Sequence, residues 1–173
     1  MNSNGKINGG VYSGDNNDAS MRISLTNVVM QDYSFNMWVR ITGANPMNNY
    51  LITAGQGLSG APSAFFSTDS SLYFNDAKTG YKWSSDNWQM ITLVNKAGIG
   101  SAYVNGDLVY TGSNSSALVG SGTLNFFGPW DNVKRSLNGV ADNLGFWSRP
   151  LSIHEVSKLF NKGKSLPYEN FRK

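Results

Sequence analysis

The stretch Leu137-Asn-Gly-Val-Ala-Asp-Asn-Leu-Gly-Phe-Trp-Ser-Arg-Pro-Leu-Ser-Ile-His-Glu-Val-Ser-Lys-Leu-Phe-Asn-Lys-Gly163 decides the fold. It reads as one long strand, a sharp corner at Arg149-Pro150, then a short helix. Ser152 is placed to cap that helix, and Glu155 three residues on completes a capping box. Val156, Leu159 and Phe160 supply an apolar stripe, and Gly163 suits the position just past the helix end. A helix of this length is not stable alone, so it must dock on something larger.

Upstream, the chain reads as short strands joined by turns. Gly and Asn are frequent, and Glu occurs only at Glu155 and Glu169. That composition disfavours helix and favours turns. Met21, Ile23 and Leu25 alternate with polar residues, the pattern of a half-buried strand. In Tyr33–Ile41, Phe35, Met37, Val39 and Ile41 share one face, and Trp38 and Arg40 share the other. Further strands are expected over 50–54, 63–67, 72–75, 81–83, 88–94 and 123–128. Asn105-Gly106 sits between Ala102-Tyr-Val104 and Asp107-Leu-Val-Tyr110, where a type I′ hairpin turn needs two residues of positive φ. Regular short strands with turns between them predict an all-β, two-sheet antiparallel sandwich with one short C-terminal helix. The polar stretch 1–10 reads as an arm, and 11–173 as one domain.

Three pieces in this order resemble the concanavalin A-like lectin/glucanase superfamily, in its laminin-G-like branch. They are the Trp38 strand, the Trp88 strand with its Asn105-Gly106 hairpin, and the closing segment with Gly139, Val140, Asp142, Phe146-Trp147 and Leu151-Ser152. The resemblance implies a jelly-roll sandwich. It does not imply one activity, because a fold of this kind hosts many.

The residues argue against catalysis. Family glucanases carry their carboxylates on a Glu-x-Asp-x-x-Glu strand, and no such strand exists here. His154 is the single histidine and lies at the helix start, which leaves no Ser-His-Asp arrangement. The chain has no cysteine, so disulfides and thiolate metal sites are excluded. Calcium is the one ion with suitable donors. In many relatives an Asp of the closing strand holds it together with carbonyls of neighbouring strands, and the matching residue is Asp142; the other reading is that Asp142 bonds backbone groups near the sheet edge. Asp15, Asn17 and Asp18 form a second oxygen cluster that turn chemistry also explains.

Two segments have sugar-gripping residue types, an aromatic beside Asn or Asp. One is 128–135, with Trp130, Asp131 and Asn132. The other is 75–83, with Asp76 and Trp83. Trp130 reads either as a ligand contact or as a lid or interface residue.

Net charge is +3, yet from Lys134 onward eight Lys/Arg stand against three acidic residues. These cations are dispersed, unlike the aromatic-interleaved grooves of nucleic-acid binders, so nucleic acid is not the expected partner. No secretory signal or membrane span is visible in the sequence. A cysteine-free, signal-less domain ending in Leu166-Pro-Tyr-Glu-Asn-Phe171 resembles laminin-G-like domains of phage decoration, fibre and tail proteins. The expectation is a non-catalytic structural or adhesion protein on a virion surface. Its partners would be a viral shell or tail protein, host-surface glycans, and other copies of itself through a sheet edge. The alternative is a soluble, extracellular carbohydrate-binding lectin.

Overall fold

The computed structural model describes residues 11–13, 21–43, 48–60, 62–84, 86–113, 117–128 and 136–166. Two antiparallel sheets face each other. The six-stranded sheet runs in the order β1 (Val11–Ser13), β13 (Gly139–Trp147), β3 (Tyr33–Ile41), β9 (Trp88–Lys96), β10 (Ile99–Val104), β11 (Asp107–Ser113). The seven-stranded sheet runs β2 (Met21–Met30), β12 (Leu118–Phe126), β4 (Asn49–Ala54), β6 (Ala64–Phe66), β7 (Ser71–Phe74), β8 (Ala77–Lys82), with β5 (Leu58–Ser59) paired to β12. The helix α1 spans Ile153–Phe160. This is the predicted sandwich with its closing helix.

The period-two pattern of β3 explains the layering. Phe35, Met37, Val39 and Ile41 point between the sheets, where they meet Leu51, Phe66, Phe74, Leu124 and Phe126. Trp38 points the other way, into a second core with Met90, Val94, Leu151, Val156 and Leu159. The second core is α1 seated on the outer face of the six-stranded sheet, and Trp38 stacks on Phe160 with centroids 5.9 Å apart. Trp88 and Trp147 pack against the same core, which is why three of the tryptophans are framework.

Ser152 caps α1 by accepting from the Glu155 N–H, and the Glu155 carboxylate accepts from the Ser152 N–H at 2.8 Å, so the capping box forms as predicted. The helix end differs. The left-handed residue that stops α1 is Asn161 (φ 47), not Gly163. Asparagine tolerates that conformation, so the stop comes earlier and a 3-10 turn, Asn161–Gly163, follows.

A second difference concerns 75–83. The sequence suggests a loop before a strand at 81–83. The structure instead makes a tight hairpin, with Phe74 facing Ala77 and both Asn75 (φ 47) and Asp76 (φ 62) left-handed. An irregularity between the Ser71–Lys82 and Tyr73–Lys78 pairs breaks the alternation that would have marked β8.

Candidate functional site

The two outer faces are built differently. The six-stranded face carries α1, and the seven-stranded face carries side chains of its own. On the latter, Tyr50 of β4 faces Phe65 of β6, which faces Tyr73 of β7, which faces Lys78 of β8. The ring centroids of Tyr50 and Phe65 lie 5.2 Å apart, and those of Phe65 and Tyr73 lie 5.0 Å apart with the rings nearly parallel at 4°. Cross-strand aromatic pairs contribute about 0.5–1.5 kcal/mol each beyond their burial. Because Phe65 and Tyr73 stack on each other, that pair spends its facing ring surfaces internally.

A polar group closes the row. The Asp69 carboxylate lies 2.8 Å from Lys78 Nζ and accepts from the Ser67 hydroxyl and from the Ser71 N–H and hydroxyl. The Lys78 hydrogen bond, then that of Ser67, holds the Asp69 carboxyl well below the usual carboxylate range. An exposed acceptor is thus kept ionised and oriented beside Tyr73.

The segment containing Trp130, Asp131 and Asn132 is rooted at the other end of this row. The Phe127 N–H donates to the Leu51 carbonyl at 3.1 Å, and the Thr53 hydroxyl donates to the Gly128 carbonyl at 3.3 Å. On the return, the Leu137 N–H donates to the Phe127 carbonyl at 2.9 Å, and the Asn138 N–H to Asn49 Oδ1 at 3.0 Å. Phe127 and Asn138 thus attach the two roots one residue to either side of Tyr50, and Thr53 holds Gly128 further along β4. Trp130, Asp131 and Asn132 themselves lie outside the described residues, as do Asp15, Asn17 and Asp18.

Asp76 and Trp83 are not brought together. Asp76 is exposed in the β7–β8 turn, and Trp83 stands just past the far end of β8, where its N–H donates to the Ser70 carbonyl. At ~3.3 Å per residue the two are roughly 20 Å apart. Trp83 is half-buried against the main core. It shares its end of the sheet with the Asp69 turn and with the roots of 129–135; Asp76 occupies the opposite end.

Asp142 lies on β13 beside an irregularity in the β13–β3 pairing, next to left-handed Asn143 (φ 48). Its Oδ1 accepts from the Asn143 N–H at 2.7 Å, and the Asn143 amide donates to Ser165 Oγ and the Leu166 carbonyl. The pair ties the chain after α1 to β13. Calcium takes six to eight oxygens, usually with several carboxylates. Among the described residues, no group of three or more His, Cys, Asp or Glu could hold a metal ion.

Tyr50, Phe65, Tyr73, Asp69 and Lys78 were not singled out in the sequence. The signal available was an aromatic at an outward position in each of three short strands. It becomes a site only once the strand register is known.

A sandwich of this build, with a helix on one outer face and an aromatic row on the other, is a lectin-type jelly roll. The chain belongs to the concanavalin A-like lectin/glucanases superfamily, whose laminin-G-type family model matches residues 15–157. No curated protein sequence matches it. Among solved structures it is similar to a heptameric SAP-like pentraxin from Limulus polyphemus, with a TM-score of 0.64 and 16% identity, covering 86% of this chain and 79% of that one. Domain 4 of AbnA, an extracellular arabinanase of Geobacillus stearothermophilus solved with arabinotriose, gives a TM-score of 0.60 at 17% identity, covering 79% and 71%. A Trypanosoma rangeli sialidase gives 0.61 at 18% identity, covering 75% of this chain but 22% of the enzyme. At these identities the likeness is one of fold.

Among the described residues, no helix is long and apolar enough to cross a membrane.

Proposed function

We propose that this chain is a non-catalytic adhesion module that binds a glycan at the Tyr50 end of its seven-stranded sheet, using Trp130, Asp131 and Asn132. The observation that carries this reading is the rooting of the segment that holds them. The Phe127 N–H bonds to the Leu51 carbonyl and the Asn138 N–H to Asn49 Oδ1, so the described residues on either side of the Trp130-Asp-Asn132 sequence attach to β4 next to Tyr50 of the aromatic row. A pyranose has an apolar face and a hydroxyl-bearing edge, so an aromatic with adjacent Asn and Asp matches both. The arabinotriose bound to the similar arabinanase domain supports a sugar ligand for this architecture. The absence of a Glu-x-Asp-x-x-Glu strand supports binding without cleavage.

A glycan array tests the reading, run with and without calcium. The expected result is binding to a defined glycan, weakened at least roughly tenfold by Trp130→Ala, as for a buried aromatic anchor. An array silent in both conditions overturns it. Calcium at Asp142 has its own test: chelation lowers the melting midpoint if the ion is bound there, and an unchanged midpoint removes it.

The surface of a virus particle is the setting we propose for this adhesion, with a shell or tail protein as the anchor. It is supported by the excess of cations from Lys134 onward and by the resemblance to phage surface domains. Mass spectrometry of purified particles tests it, and absence from every particle sinks it. A soluble extracellular lectin is then the reading that stands.

A further inference from the structure

The helix α1 is eight residues long and covers part of the six-stranded face. Beyond it the sheet continues into β10 and β11, where Ile99 and Leu108 are 49% and 52% exposed. Between the start of α1 and the β9–β10 hairpin lies a groove of about 530 Å³. Its floor is Val94 and Leu151, both buried, with half-buried Tyr103. Its lips are Ile99 and Ile153, the latter 48% exposed. Two isoleucines thus stand half in water on either side of an apolar floor that already belongs to the second core.

Charge and size select the occupant. Lys96 is the one charged side chain lining the groove. It is exposed on β9, and among the described residues it forms no ion pair. Of the nearby acids, Glu155 is paired with Arg149 and accepts from Ser152, and the Asp32 carboxylate is held on the Ala97 N–H and does not itself line the groove. Ser152 and Ile153 bring the start of α1 to the rim. The volume falls within the range of small-molecule sites. The handful of lining residues falls well short of the ~20–30 per side of a stable protein interface.

We propose that this groove binds a free amphiphile in solution, an apolar chain ending in one anionic group, such as a medium-chain carboxylate. The chain lies over Val94, Tyr103 and Leu151 between the two isoleucine lips, and the carboxylate meets Lys96. This is separate from the glycan reading, because it uses the other outer face.

The probe is sodium decanoate below its micelle concentration, titrated into the full chain with methyl-detected NMR. Expected are saturable shifts confined to Val94, Ile99, Leu151 and Ile153. Decanol, which lacks the charge, should bind roughly fivefold more weakly, as loss of one exposed ion pair implies. Lys96→Glu should remove the preference for decanoate while leaving decanol binding unchanged. Ile153→Asp, at an exposed position, should lose both ligands with the melting midpoint retained. Shifts that never saturate, shifts spread over the seven-stranded sheet, or equal binding of decanol and decanoate by the wild type would overturn the proposal.

Discussion

Met37 and Trp38 are neighbours in sequence and belong to different cores, one between the sheets and one under α1. Either truncation leaves a cavity, so Trp38→Ala should cost about 3–5 kcal/mol and Met37→Ala about 2–5 kcal/mol in denaturant unfolding. Glu155 acts through charge and geometry together. The Arg149 guanidinium at 2.7 Å, then the hydrogen bonds of Ser152, lower its carboxyl to about 2 from an ordinary 4.5. A carboxyl depressed on folding stabilises the native state above the ordinary value and loses that contribution as pH falls through the folded one. Wild type should therefore melt above Glu155→Gln at neutral pH, with the gap closing as pH falls from 4.5 towards about 2. A gap that stays constant across that window would remove the ion pair from the account. Two of these roles were readable in the sequence because each is local, the face of Trp38 by alternation and the capping by Glu155 from its spacing to Ser152; the Arg149 ion pair was not read there.

Among the elements, α1 depends on its seat. Val156 and Leu159 are buried against the six-stranded sheet, so Leu159→Ala should cost about 2–5 kcal/mol. Its end also meets the β10–β11 hairpin: a Cβ placed on Gly106 would come 3.5 Å from the Phe160 ring, which is ordinary contact. The difficulty there is backbone. Gly106 has φ +90, and Gly106→Ala should cost about 1 kcal/mol, read as a lowered melting midpoint. The Asn105-Gly106 hairpin was legible because its two residues state their conformation. The β7–β8 hairpin was not, since Asn75-Asp76 turns as tightly without glycine and the irregularity in β8 hides the alternation. The aromatic row lay beyond reach for a different reason. Tyr50, Phe65 and Tyr73 meet only through pairing between strands, and composition carries no register.

At the scale of the molecule, the fold gives its two outer faces different surfaces. The six-stranded face is covered by α1 and leaves a groove at its end; the seven-stranded face carries the aromatic row and the roots of 129–135. The sequence placed its sugar-gripping residue types in two loops. The structure splits the second of these, with Trp83 at the end of the sheet that holds the 129–135 roots and Asp76 at the other. The central claim is that a glycan binds at the Tyr50 end without being cleaved. The most direct measurement is a backbone-amide NMR titration of the chain with the strongest glycan from an array, followed by analysis of the recovered sugar. The account predicts saturable shifts at Tyr50, Gly128 and 129–135, none at Asp76, and intact sugar. Shifts centred on Asp76 or on α1, or a hydrolysed product, would contradict it.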